Sequence, residues 1–572
     1  MEESAHLNPS MMLYERHDKV VIEAFRRGEF DYLEGVSEIS ETDFFQTIVN
    51  RKILEKLAAT YPSLCRKEDV PTWAYIAGDI SLRFHGVNQF HAFPYVVRSG
   101  GMINAFGPEM GHKVTHPQTG DVTLSCQGFN KKNEYDRQTP VDQDYLRKTA
   151  KRTDAAQLMT WYNRDVAGIF KQHHAFDSEG LFVGDASYLF VPDNPRYEKS
   201  SRLLFDEHNH PVDSQKLSPQ ERRQYKWRRC YKMISLLHIN RKGDYFLYVA
   251  VKVVPGKDHE APILYQMLEQ FSEYHGKGII KKLLLDRGFL DGPQIGRCKQ
   301  EWGIDILMPV RRNMDIYRDI LGLAEAGELD FKPWAASAPA AKPAVMHRPE
   351  TIRKREESRQ RTLAQRKNQT QAVTLTPKTE PSPMPVSASV RSEVAVVAAV
   401  RTFTTCPIPL DVIVNRDISA DGQKDYWMLI STAPISDPGM GRQEYALRTD
   451  IEERHRQLKG YSDLENFSSR SFNLVANQVV FILLTYSLLQ WYLWRRYRRE
   501  LNTQTRPRIL YRLKPSLTVI LIYYQNYVAF LSALEHQELV LTLEEEARKK
   551  ILAKTQALRR SLAQQLYHPR PP

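Results

Sequence analysis

The sequence predicts an α/β fold whose central core is interrupted by a long insertion. Three observations carry this expectation. Between residues 180 and 312, apolar runs of strand length alternate with amphipathic helical stretches in the order β-β-β-α-β-α-β. Beyond an Ala-, Pro- and Ser-rich segment, short apolar runs return without helices between them. A charged helical stretch and a long apolar one then complete the pattern between residues 441 and 500.

In chain order, residues 1–66 read as a helical region. "HDKVVIEAFRRGEF" and "ETDFFQTIVNRKILEKLAATY" place apolar residues three and four apart, with Thr42 as the cap of the second. Residues 67–178 form a mixed region. There "PYVVRSGGMINAF" and "GDVTLSCQGF" suggest short strands, and a long helix is expected from about 141 to 173. His112 and His116 stand four apart in "GHKVTH". The neighbouring Gly111, Pro117 and Gly120 argue against a helix there, so these histidines read as solvated loop residues rather than a metal pair.

The core segment begins with "GLFVGDASYLF", which puts Asp185 at the end of an apolar run. "CYKMISLLHINR" and "DYFLYVAVKVVPG" supply two more strands around a turn near Lys242-Gly243. "EAPILYQMLEQFSEYHG" is helical, "KKLLLDRGFLD" a strand ending at Asp286, "GPQIGRCKQEWG" helical and "IDILMPVRR" a further strand. This succession is that of a ribonuclease-H-like core, in which neighbouring strands bring Asp185 and Asp286 to one sheet edge. Asp291 is suited to cap the helix that follows it, and Trp302 to packing.

Residues 313–440 read as an insertion. Its first part, about 335–392, is a linker carrying the basic stretch "ETIRKREESRQRTLAQRKNQ", and its second part holds the strands "VAVVAAVRTFT", "LDVIVNRD" and "DYWMLISTAP". Next comes "EYALRTDIEERHRQLKGY", where Tyr445, Arg448, Glu452 and Lys459 are spaced by three, four and seven residues. On a continuous helix they fall within about a 60° sector, beside a buried stripe of Leu447, Ile451 and Leu458. Glu453 points about 100° away from Glu452 and reads as structural.

"LVANQVVFILLTYSLLQWYLW", residues 474–494, is nearly long enough to span a bilayer and is followed by Arg495, Arg496, Arg498 and Arg499. It carries Asn477, Gln478, Thr485, Ser487 and Gln490, which favour a buried core helix over a membrane span. Residues 501–572 read as helical.

Composition sets the class of partner. With 572 residues and 42% hydrophobic content the chain is long enough for several cores. A net charge of +12 suits a polyanion, nucleic acid before an anionic membrane. The five cysteines, Cys65, Cys126, Cys230, Cys298 and Cys406, lie far apart and indicate neither a disulfide framework nor a zinc site. The opening "MEESAHLNPSMMLYERHDK" has no apolar run after a basic one, so no secretory signal is expected.

The run from Tyr445 to Lys459 satisfies Tyr-x2-Arg-x3-Glu-x6-Lys in full. In this it resembles the bacterial and archaeal insertion-sequence transposases of the Asp-Asp-Glu class that carry a β-rich insertion before the Glu. Asp-Arg-Gly-Phe at 286–289 is similar to the motif around that family's second Asp, whereas "DASY" departs at Ser187, where a Gly or Ala is usual. The resemblance covers roughly residues 180–495.

The resemblance implies a DNA transposase, cutting and pasting with two divalent ions, Mg²⁺ with Mn²⁺ as a substitute. Asp185 would bridge both ions, and Asp286 and Glu452 would each hold one. Tyr445, Arg448 and Lys459 would contact the DNA backbone near the cleaved end, and Trp427 would stack an extruded base. The implied partner is double-stranded DNA, as transposon ends and target, bound by a homodimer in a prokaryotic cytoplasm with no membrane. The N-terminal region is then a candidate for binding DNA ends. Two other readings remain at this stage: a nuclease of the same fold that does not join strands, and a transposase-derived DNA-binding protein without activity.

Overall fold

A computed structural model describes residues 15–36, 40–62, 70–97, 112–115, 122–125, 141–334, 391–419, 421–513, 519–525 and 527–566. The chain divides into two compact units. One comprises Met1–Met308, Thr404–Ile408 and Glu444–Pro572, and the other Pro309–Phe403 and Pro409–Gln443.

The first unit is built on β1 (Leu181–Val191), β2 (Lys226–Ile239), β3 (Phe246–Pro255), α1 (Glu260–His275), β4 (Lys282–Leu284), α2 (Gly292–Trp302) and β5 (Asp305–Pro309). Strand order is β5-β4-β1-β2-β3, with β5, β4 and β1 parallel and β2 and β3 antiparallel to their neighbours. β3 is buried almost throughout, as a strand covered on both faces must be. The β2–β3 turn falls at Gly243 with φ +64°, at the position read from the sequence. Asp291 caps α2 by accepting from the Gln294 amide at 3.1 Å, and Gly303 at φ +70° ends it. Trp302 is buried beneath Arg297. Between β1 and β2 the chain adds two short strands, Ser201–Phe205 and Pro211–Val212, the first paired with the start of β2.

The second unit holds β6 (Arg391–Val400), β7 (Leu410–Ile418) and β8 (Lys424–Ser431), an antiparallel set joined at β6 by Lys332–Trp334. A helix at Asp315–Glu325, not expected from the sequence, precedes them. Most of the basic linker, residues 335–390, lies outside the described residues.

After β8 come α3 (Pro438–Ala446), α4 (Thr449–Tyr461) and α5 (Phe472–Arg495). α5 is the long apolar stretch, and 89% of its most apolar window is buried inside the protein. Most of its polar residues find partners there, while the Thr485 hydroxyl has none among the described residues. Asn477 donates to the Tyr75 hydroxyl at 2.9 Å, Gln490 donates to the Asn502 carbonyl at 3.0 Å, and Ser487 accepts from the Tyr248 amide at 3.0 Å. A helix that satisfies amide side chains inside the fold is a core helix.

Several expectations fail locally. The long helix at 141–173 is broken, because Asp154 accepts from the Ala156 and Gln157 amides and starts a new helix after Gln143–Arg152. "PYVV" lies in a short helix, Phe93–Val97, rather than a strand. Thr42 is inside its helix, which begins at Ser40. His112 belongs to the strand His112–Thr115, and His116 lies outside the described residues, as do Cys65 and Cys126. Neither end of the chain is wholly helical. Glu15–Arg16 and Tyr32–Val36 form one sheet with the hairpin Val519–Tyr524 and Tyr527–Ser532, closed over a core that includes Phe25, Phe30 and Ile522.

Candidate active site

Two strands and one helix start converge at the polar edge of the first unit. In the parallel β1–β4 pair, Val183 stands opposite Leu284. Asp185 and Asp286 each lie two residues further on, so both acids leave the paired segment at the same level. β1 continues to Val191, which places Asp185 inside the strand rather than at its end. Gly184 permits the close approach. A Cβ there would lie 2.7 Å from the Leu285 side chain and 2.9 Å from that of Leu264 on α1.

The third acid arrives on α4. The stretch read as one continuous helix is two helices, separated at Leu447-Arg448. Four amides, those of Leu447, Arg448, Asp450 and Ile451, bond three residues back instead of four. This tightening replaces the regular α-helical wheel. Tyr445 lies in the last turn of the first helix, Arg448 sits at the joint and Glu452 lies in the first turn of the second. Ile451 and Leu458 are buried as the stripe predicts, while Leu447 is only half-buried.

Arg448 occupies the middle of the acids. Its guanidinium pairs with Glu452 at 2.6 Å and with Asp185 at 3.6 Å. Burial pulls its pKa down, but Tyr445, Asp185, Asp286 and Glu452 together hold it above its ordinary value. One cation thus feels all three carboxylates. The Tyr445 phenol donates to the Leu285 carbonyl at 3.3 Å, on the residue before Asp286. Its pKa is pushed up to about 12, chiefly by burial. Lys459 lies further along α4, where its ammonium donates to the Tyr188 carbonyl at 2.6 Å and pairs with Glu465 at 3.1 Å. It fastens α4 to β1 and keeps one N–H for another acceptor.

One residue at the site was missed by sequence reasoning. His455 is buried on α4, and its Nδ1 lies 3.3 Å from Asp185 Oδ2. Its Nε2 lies 3.2 Å from the Ser235 hydroxyl, and Ser235 is the cross-strand partner of Asp185. Nδ1 thus lies within ion-pair distance of the carboxylate, and Nε2 shares a hydrogen bond with the Ser235 hydroxyl whose direction follows the ring's tautomer. The ring is stacked on Tyr248 with an interplanar angle of 17°. The signal was available: His455 follows Ile451 by four and precedes Leu458 by three, which puts it on the buried stripe. Glu453, by contrast, is structural. Its hydrogen bonds to Arg456 bring its pKa down to about 2.

Trp427 belongs to the second unit and is described within it. Its indole N–H donates to Asp417 at 2.9 Å, and Arg442 binds the same carboxylate at 3.0 Å. The Arg442 guanidinium lies 4.0 Å from the Trp334 ring centre and 5.0 Å from that of Trp427.

Among the described residues, no three acidic, histidine or cysteine side chains form a closed metal cage. Arg448 supplies the positive charge between the carboxylates instead. The donor set nevertheless suits a hard divalent cation, being made of carboxylates alone, with the Glu452 side chain 55% exposed and free to turn from Arg448. A family model described as a transposase DDE domain matches residues 197–488. The matched segment contains Asp286, Tyr445, Arg448, Glu452 and Lys459 and starts after Asp185. No curated protein matches the chain.

Proposed function

The chain belongs to the transposase DDE-domain family, and from that membership we propose that it is a cut-and-paste DNA transposase. In this reading it cleaves at the ends of its element and joins them to target DNA. The observation that carries the reading is the position of Arg448 among Asp185, Asp286 and Glu452, which come from three separate elements. The strand order β5-β4-β1-β2-β3 supports a ribonuclease-H-like core beneath them.

Asp185, Asp286 and Glu452 would together hold two divalent ions, Mg²⁺ or Mn²⁺. Bound there, the ions supply Lewis acidity for the attacking and leaving oxygens of an in-line displacement at phosphorus. The protein's own part is placement. Ser235 fixes the His455 ring beside the Asp185 carboxylate, and Tyr445 fixes the backbone before Asp286. Arg448, released from Glu452, turns its fork of donors to the DNA phosphate. Lys459 adds its remaining N–H to that backbone, and Trp427 offers its indole to an unpaired base. Handling two element ends in one event calls for a homodimer on DNA.

The test is a joining assay with purified protein, Mg²⁺, a pre-nicked element end and a target plasmid. Joined product is expected, and Glu452→Gln should abolish it while binding to the end DNA persists. Hydrolysis without joining would make the chain a nuclease, and end binding without either product would make it a DNA-binding derivative.

A further inference from the structure

The arginine run after α5 has no task at the acidic edge. Arg495, Arg496 and Arg499 meet Arg16 and Arg51 around a cleft of about 700 Å³, which Trp494 also lines. Arg16 and Arg496 are partly neutralised, since both pair with Asp43 and Arg16 also with Asp18. Arg51, Arg495 and Arg499 have no carboxylate partner among the described residues, and the guanidiniums of Arg495 and Arg499 lie 5.8 and 5.5 Å from the Trp494 ring centre. The positive field is felt nearby. His173 is held below its ordinary pKa first by burial and then by Lys56, Arg51 and Arg495.

A helix C-terminus attracts cations through its dipole, which accounts for arginines on α5 itself. It does not account for Arg16 and Arg51, which come from the N-terminal segment. α5 is largely buried and so supplies no inserting segment beside the arginines, which leaves their charge and the indole to choose the partner. Planar guanidiniums over an indole, in a cleft whose volume of about 700 Å³ far exceeds one small anion, match a run of phosphates flanked by sugars and bases. We infer that this cleft binds the backbone of double-stranded DNA, as a second contact sharing no residue with the acidic edge. The inference rests on the transposase reading for its choice of partner.

The test uses the full chain and a duplex of unrelated sequence, without divalent metal, followed by fluorescence anisotropy over a range of salt. Arg51→Gln/Arg495→Gln/Arg499→Gln should bind at least about tenfold more weakly at low salt and flatten the log–log salt slope by about 2 to 3, near 0.9 per lost phosphate contact. The triple Lys variant should keep most of the slope. In the unaltered chain, the duplex should shield Arg51, Arg495 and Arg499 from phenylglyoxal, a measurement that needs no variant to fold. An unchanged slope together with unshielded arginines would overturn the inference. So would equal shielding by inorganic phosphate, which would mark a small-anion site, or by phosphatidylglycerol vesicles, which would mark a membrane surface. Failure here with end joining intact would remove the cleft and leave the transposase reading. Success here without joining would do the reverse.

Discussion

Arg448 and Arg442 are buried to the same degree, 13% and 12% exposed, and live in opposite surroundings. Arg442 is enclosed by two indoles and one carboxylate, and that carboxylate is also bonded to Ser392 and to Trp427. Arg448 stands among three carboxylates, one of which is more than half exposed. The first arrangement sets one cation against one carboxylate, with Arg442 Nη1 buried and unbonded. The second sets one arginine beside carboxylates from three separate elements, which in the proposed function exchange it for divalent ions. Under the proposed function, equal burial marks a structural cation in one place and an exchangeable partner in the other.

The largest expected effect sharpens this contrast. Glu452→Gln should lower metal-dependent cleavage of end DNA by roughly 10³-fold or more, with the fold unchanged by circular dichroism. Survival of cleavage would show that the acids around Arg448 have no special task. The next effect separates the fixed acid from the open one. His455→Leu should weaken Mn²⁺ binding, measured by titration calorimetry, by about 10- to 100-fold. His455→Asn, which can keep a donor near Asp185, should recover most of that loss, whereas equal losses in both would reduce His455 to packing.

Stability should part the two arginines. Arg442→Ala strands Asp417 beside the indoles and should cost about 1–3 kcal/mol by urea denaturation, below the range for fully buried pairs because Asp417 is partly exposed. Arg448→Ala should also destabilise the chain, but Mg²⁺ should restore that loss and leave the loss at Arg442 untouched. The smallest effect is in pH. Burial pushes the Asp417 carboxyl up, but bonds from Ser392, Trp427 and Arg442 outweigh it and hold the group below its ordinary range. Its contribution is therefore complete above about pH 4, the unfolded value, and is lost as pH falls through the lower folded value. Asp417→Asn should flatten the acid limb of the stability curve. A steeper limb would reverse the sign of the account.

What was legible in the sequence depended on how local its cause was. Asp291 as a cap, the Gly243 turn and the buried stripe of α4 follow from neighbours in the chain. Asp185 and Asp286 could be brought to one edge because parallel strands with helical crossovers have few arrangements. The joint at Leu447-Arg448 was invisible, since it contains neither Gly nor Pro and arises where two helices meet the sheet edge. The pairing of Tyr32–Val36 with Val519–Tyr524 joins strands nearly five hundred residues apart, beyond any periodicity. His455 was legible in principle, since its spacing from Ile451 and Leu458 puts it on the buried stripe and not on the charged face.

The central claim is that Asp185, Asp286 and Glu452 share divalent ions in place of Arg448. Its most direct measurement is metal-directed backbone cleavage, with Fe²⁺ in place of Mg²⁺ and ascorbate to generate radicals at the bound ion. The account predicts cuts beside residues 185, 286 and 452 together, suppressed by excess Mg²⁺ and lost in Glu452→Gln. Cuts that miss one of the three segments, or that persist unchanged in Glu452→Gln, would contradict it.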